Sequence, residues 1–178
     1  MIGKQFRPEF YFEKNLTPYD VDWLGSKNQI GAAKKVGMKH FVFLSSMGGT
    51  QPDNFFLNTI GRVDGDEPSG NILLWKRKAE QYLITSGMKY TIVHPGGLLD
   101  KTGGDREIVL GTNDELLKEK VRSIPRADVA EVCVQAIRQP GGINRSIDII
   151  AREPGQEGTS VTKDWKAFFA SKAGNCQY

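Results

Sequence analysis

The sequence predicts an α/β fold, a parallel sheet with helices on its faces. Short apolar runs rich in β-branched and aromatic residues, His40–Leu44, Tyr90–Val93 and Ser146–Ile150, alternate with longer amphipathic stretches, as repeated strand and helix units do. Two of these runs open directly into small residues, Ser45–Gly49 and Pro95–Gly97. Gly37 and Gly87 follow the amphipathic stretches as natural helix C-caps.

Residues 1–20 read as an irregular N-terminal segment, 21–172 as one α/β core and 173–178 as a tail. The first helix is predicted from about Val21 to Val36, with Ile30, Ala33 and Val36 on one side. His40–Leu44 follows as a buried strand. The next stretch holds Pro52, Asp53, Asn54, Gly61, Gly65, Pro68 and Gly70, too many breakers for a long element, and its length suits a lid or a site wall. A second helix spans about Asn71 to Ser86, and Tyr90–Val93 is the second strand. Beyond Gly103 and Gly104 a short strand is expected at Glu107–Leu110. The third helix is marked by Val129, Val132, Cys133, Ala136 and Ile137 at i, i+3, i+4, i+7 and i+8, with Asp128 placed to cap or charge its first turn. Ser146–Ile150 is the third strand, and Thr162 opens a last helix with Trp165, Phe168 and Phe169 on its apolar face. The expected core is Phe41, Phe43, Ile92, Val132 and Phe168. Full burial of Phe43 would make Phe43→Ala cost about 3–5 kcal/mol.

With 178 residues the chain suits one domain of ordinary size and excludes a multidomain assembly. Hydrophobic residues are 39%, and the 20 glycines bring the apolar share to about half, a globular composition. A formal charge of +3 favours neither nucleic acid nor an anionic membrane. Cys133 and Cys176 stand far apart and outside any Cys/His cluster, so neither a disulfide framework nor a metal site is expected, and a reducing compartment fits. No apolar run approaches the ~20 residues of a membrane helix, and Met1–Arg7 lacks the apolar core of a signal peptide.

In open parallel sheets ligands bind beyond the carboxyl ends of the strands, which directs attention to Ser45–Gly49 and His94–Gly97. Plain turn chemistry explains the same residues equally well. No G-x-x-G-x-x-G or G-x-G-x-x-G loop lies between a strand and a helix in this sequence. Gly25–Asn28 has the composition of a phosphate-binding helix start, but no strand closely precedes it and ordinary capping accounts for it better.

Five segments together resemble the atypical short-chain dehydrogenase/reductases, in particular the plant and cyanobacterial NAD(P)-binding branch related to NmrA-like proteins. They are Val21–Gln29, Gly37–Val42 with Ser46–Thr50, Trp75–Leu83, Pro95–Asp100 and Pro125–Ala130, and the likeness begins near Arg7–Phe10. The resemblance implies a Rossmann fold of seven parallel strands, of which this chain holds the C-terminal three with their flanking helices. The family's glycine-rich loop and adenosine-binding strands would lie in a preceding half. The strand at Phe41–Leu44 would then have an open edge, which predicts pairing with another chain, such as a homodimer, or instability.

In catalytic relatives a Tyr-x-x-x-Lys helix supplies a tyrosine acid and a lysine that binds the nicotinamide ribose, a strand-end serine orients the carbonyl, and an asparagine supports a proton relay. By this resemblance Lys78 matches the lysine, Ser46 the serine and Asn28 the asparagine, and Leu74 takes the tyrosine's place. Leucine cannot donate a proton, so the usual acid for carbonyl reduction is missing. Tyr82 lies one turn beyond Lys78, and His94 stands where relatives often carry arginine. Tyr82 reads more simply as a packed residue, His94 as a packed or solvated one, and Asp128 as a helix cap.

The resemblance implies cofactor contacts from Ser46, Met47, Gly48, Lys78, Pro95, Gly96 and Gly97, with NADP or NAD as cofactor. It leaves three functions open: an NAD(P)(H)-dependent oxidoreductase with altered catalysis, a non-catalytic scaffold or redox-regulatory protein, or a truncated product of a longer reductase-like protein. It suggests the cytoplasm or the chloroplast stroma, with no targeting segment visible in the sequence. Selectivity between the cofactors would rest near the family's second strand.

Overall fold

The computed structural model describes residues 17–50, 72–172 and 174–178. The expected lid or site wall around Pro52–Gly70 and the likeness near Arg7–Phe10 lie outside them. The described residues divide into two compact units, one drawn from 17–41, 48–50, 72–88 and Tyr178, the other from 42–47, 89–172 and 174–177.

The first unit is helical. A π-helical stretch, Tyr19–Gly25, leads directly into α1 (Ser26–Lys35), so the single predicted helix has two geometries. Ile30 is buried, whereas Val36 lies past the last helical turn and is exposed, not on the buried face as expected. The helix closes as a glycine cap should. Gly37 takes φ +70°, its N–H donates to Lys34 O, and the Met38 N–H donates to Ala33 O. α2 (Ile72–Thr85) follows the predicted span and buries Leu73, Trp75, Ala79, Glu80 and Leu83. Tyr19 packs edge-on against Trp75 with ring centres 4.8 Å apart, which joins the π-helical stretch to α2. Lys76 reaches Asp22 at 2.7 Å, and the carboxylate is 1% exposed.

The second unit is the sheet with its covering helices. Its strands are β1 (Phe41–Leu44), β2 (Tyr90–Pro95), β3 (Gly97–Leu99), β4 (Ile108–Gly111), β5 (Ser123–Pro125) and β6 (Arg145–Ala151). Four form one sheet in the order β1-β2-β6-β4, and β3 pairs with β5 in a small second sheet. β2 and β6 are parallel, with Val93 opposite Ile147 and His94 opposite Asp148. β4 is the strand expected near Glu107–Leu110, but it runs antiparallel to β6, with Val109 opposite Ile150. An antiparallel edge strand on an otherwise parallel sheet is a common arrangement.

Strand alternation divides the side chains between two faces. On one, Val93, Ile147, Ile149 and Ala151 join Val129, Val132 and Ala136 of α3 (Arg126–Arg138) and Phe168 and Phe169 of α4 (Trp165–Ala170) in the main core. On the other, Ile150 packs with Met47 and Leu116. The expected core is correct at Ile92, Val132 and Phe168. It is misplaced in β1, where all four residues are half-buried and Val42 and Leu44, not Phe41 and Phe43, pack against the main core. Among the described residues β1 is an edge strand, and an edge strand's second face is covered from fewer sides.

Two further expectations are corrected. Of the two roles expected of Asp128, charging the first turn of α3 holds and capping it does not: the N-cap is Pro125, and Asp128 Oδ1 accepts the Gly104 N–H at 2.7 Å and ties the Gly103–Gly104 loop to the helix. Thr162 does not open the last helix. Its hydroxyl accepts the Ile108 N–H at 2.8 Å at the start of β4, and Asp164 caps α4 by accepting the Ala167 N–H at 2.9 Å. Among the described residues no helix is long and apolar enough to cross a membrane.

Candidate functional site

Within the second unit the chain brings together two of the segments singled out in the sequence. Beyond β1, the Ser45 N–H donates to Val93 O at 2.8 Å and the Met47 N–H to Pro95 O at 3.3 Å, so Ser45–Met47 runs beside the end of β2 in the same direction. Past Pro95 the chain is held on two further sides, with the Gly96 N–H donating to Ile149 O at 3.0 Å and the Gly97 N–H to Arg122 O at 2.8 Å. Gly96 has a steric reason to be glycine. A Cβ there would stand 2.2 Å from Arg122 O and 3.0 Å from Met47 Cε. At Gly97 the nearest atom to such a Cβ is 3.7 Å away, and the residue is exposed. The result is a strand-end platform with Met47 buried beneath it and the Gly97 backbone open to solvent. Ser46 is half-buried there, its Oγ donating to Met47 O at 3.0 Å.

The remaining expected residues belong to the first unit. Asn28 is exposed on the first turn of α1. Gly48 takes φ +104°, a conformation that favours glycine. Lys78 is exposed on α2, with Nζ 5.0 Å from the Trp23 ring centre and 5.2 Å from that of Trp75. It is thus a cation–π partner of two indoles. Its neighbours in the basic cluster have other partners: Lys76 pairs with Asp22, and Arg77 with Glu80 at 3.5 Å. Leu74, one turn before Lys78, is 43% exposed. Tyr82, one turn after, stacks edge-on against Trp23 with ring centres 5.7 Å apart, the packing role expected of it.

His94, Asp148 and Cys176 form a buried polar cluster in the second unit, of which sequence reasoning singled out only the histidine. His94 Nδ1 lies 3.1 Å from Asp148 Oδ1, and Cys176 Sγ lies 3.4 Å from the same oxygen. The His94–Asp148 pair was legible in principle, because both residues interrupt apolar strands that prove to be neighbours. Cys176 had no such signal. Elsewhere, burial pushes the Cys133 thiol up to about 11 and lowers the Arg145 pKa, the latter opposed by the nearby Cys176.

A sheet with parallel β2 and β6, helices on its main core, and an open small-residue platform at its strand ends defines an α/β protein of the dinucleotide-binding kind. The chain belongs to the NAD(P)H-binding family, whose model matches residues 13–140. This agrees with the resemblance to atypical short-chain dehydrogenase/reductases and identifies a nicotinamide dinucleotide as the family's ligand. An uncharacterized chloroplastic protein of Arabidopsis thaliana is 52% identical over 168 residues, covering 94% of this chain and 48% of the relative. Sanguinarine reductase of Eschscholzia californica is 48% identical over 163 residues, covering 92% of this chain and 56% of the relative. Among solved structures, a putative NAD-dependent epimerase/dehydratase from Bacillus halodurans superposes with a TM-score of 0.63 at 26% identity, covering 84% of this chain and 62% of that one. The chain spans about half the length of the curated relatives it matches.

Proposed function

We propose that this chain supplies the nicotinamide side of an NAD(P)(H) site in a chloroplast reductase-like protein, as the C-terminal part of a Rossmann-type domain. The observation that carries the reading is the platform itself. Ser45–Met47 and Pro95–Gly97 run side by side at the strand ends, with the Gly97 backbone accessible. The fit to a nicotinamide is one of shape: the small residues after the strands leave room for a flat ring at the exposed Gly97. The chloroplast assignment follows relatives whose names place them there.

In this reading Ser46, Met47, Pro95, Gly96 and Gly97 contact the cofactor, and the family resemblance adds Gly48 and, as the ribose-binding lysine, Lys78. When bound, the dinucleotide supplies or accepts hydride. Ser46 Oγ orients a carbonyl by turning its hydroxyl from Met47 O, and by the same resemblance Asn28 is the asparagine of the proton relay. Leu74 gives no proton, so reduction draws its acid from solvent or from the substrate. The leucine at position 74, where catalytic relatives carry the tyrosine acid, favours a second reading, a non-catalytic redox-responsive scaffold that binds the cofactor without turnover.

Calorimetric titration with NADPH and with NADH tests the site. The wild-type chain is expected to bind one of them saturably, and Lys78→Ala to weaken binding about tenfold, equivalent to ~1.4 kcal/mol. Unchanged affinity in Lys78→Ala removes that residue from the site, and no binding by the folded wild type defeats the reading. Steady-state oxidation of bound NADPH by carbonyl substrates separates the reductase from the scaffold.

A further inference from the structure

We propose that His94, Asp148 and Cys176 form a metal site for one divalent cation of the zinc class, clamping the C-terminal segment to the sheet. The three residues come from β2, from β6 and from residues 174–178, and their side chains are all buried. What singles them out is that three different donor atoms converge on one point. Nδ1, Oδ1 and Sγ are 3.1, 3.4 and 3.6 Å apart. A triangle with those sides has its centre about 2.0 Å from each corner, and a small lift out of the plane reaches the ~2.0–2.3 Å of zinc bonds to nitrogen, oxygen and sulfur.

A cysteine nucleophile activated by a histidine and a carboxylate would need a different arrangement. In such a triad the acid and the nucleophile occupy opposite ring nitrogens. Here both Asp148 and Cys176 lie against Nδ1. That is the geometry of a ligand set, not of a relay.

The surroundings prepare the same atoms. The Asp114 N–H donates to Asp148 Oδ2 at 2.7 Å, which fixes the carboxylate and leaves Oδ1 toward the histidine and cysteine. The Asn113 N–H donates to Cys176 Sγ at 3.4 Å, which fixes the position of the sulfur beside Asp148 and His94. Both donors stand in a turn where consecutive non-glycine residues take positive φ, +58° at Asn113 and +60° at Asp114. Strain of this kind persists where the surroundings enforce it. The C-terminal segment is held by the same turn: Asn113 Oδ1 accepts the Gln177 N–H at 2.7 Å, and the Cys176 N–H donates to Ser146 O at 3.1 Å. Nitrogen, carboxylate oxygen and thiolate together suit a borderline ion better than magnesium or calcium. A neutral imidazole, one carboxylate and one thiolate also balance the charge of a dication in this buried position.

The test uses the full chain freed of metal by a chelator and titrated with Co²⁺, then Zn²⁺. The expected result is one Co²⁺ per chain with a near-ultraviolet thiolate-to-cobalt band, displaced by Zn²⁺, absent in Cys176→Ser and retained in Cys133→Ser. Should the Cys176→Ser chain fail to fold, wild-type protein alone decides by alkylation and mass spectrometry: Zn²⁺ should slow modification of Cys176 at least tenfold and leave Cys133 unchanged. Absence of the thiolate band, its persistence in folded Cys176→Ser, or equal alkylation of Cys176 with and without Zn²⁺ would overturn the proposal and leave a metal-free hydrogen-bonded cluster.

Discussion

Adjacent glycines at the strand-end platform should respond very unequally to the same substitution. In Gly96→Ala the new methyl would sit 2.2 Å from Arg122 O and 2.9 Å from its carbonyl carbon, both backbone atoms that no rotamer change can move. Relief requires the Pro95–Gly97 turn and the Arg122 backbone to separate by about 1 Å, an overpacking distortion that costs about 1–3 kcal/mol. The same separation strains the Gly97 N–H to Arg122 O bond, now 2.8 Å, whose loss adds about 0.5–1.5 kcal/mol. The expected destabilisation is therefore about 2–4 kcal/mol. Gly97→Ala places its methyl no closer than 3.7 Å to Ser123 Cβ, an ordinary contact, and should cost less than about 1 kcal/mol. Urea denaturation of both variants measures the difference at constant m-value. Equal stabilities within about 0.5 kcal/mol would refute the close approach of the Pro95–Gly97 turn and the Arg122 backbone.

Lys76→Met leaves the buried Asp22 carboxylate without its 2.7 Å ammonium partner and should destabilise the chain by about 3–5 kcal/mol, whereas Lys76→Arg should cost much less; equal effects in denaturation would show the pair to be incidental. Asp128→Ala removes the acceptor of the Gly104 N–H and should cost about 1–3 kcal/mol with faster amide exchange at Gly104; unchanged exchange there would place the tether elsewhere. The Cys133 thiol, raised from 9.0 to about 11 by burial, is favoured in its neutral form by the fold. Its contribution, of order 2–3 kcal/mol, is complete below pH 9 and is lost as pH rises toward 11. Cys133→Ser should flatten the alkaline side of the stability profile, and an unchanged slope between those limits would contradict the assigned burial.

The alternation of apolar runs was enough to place β1, β2 and β6 and to separate them from the helices, because buried strands and amphipathic helices impose different periods on the sequence. Gly37 and Gly87 were legible for the same kind of local reason: both take positive φ at helix ends. Direction and coverage were not legible. The run at Ile108–Gly111 contains nothing that sets it antiparallel to β6, since that depends on where the chain re-enters the sheet. Phe43 is as apolar as Val42, yet only the latter faces the main core, because the alternation of an edge strand fixes a face without saying how well each is covered. Asp128 sits where a cap belongs, but its carboxylate serves a loop 24 residues away in sequence.

The candidate site divides in the same way. Ser46–Met47 and Pro95–Gly97 were found because small residues after strands mark ligand-facing turns, and the platform follows from strand adjacency. Cys176 gave no local signal. It lies 82 residues from His94 in a segment without regular structure, and only the fold brings its sulfur to the sheet.

The central claim, that the strand-end platform receives the nicotinamide of a dinucleotide, is most directly tested by amide chemical-shift mapping of the isotopically labelled chain with NADPH and with reduced nicotinamide mononucleotide. The account predicts that both ligands shift the amides of Ser46, Met47, Gly96 and Gly97, because the contacts assigned here belong to the nicotinamide half they share. Shifts confined to other segments, or no shifts at saturating ligand, would contradict it.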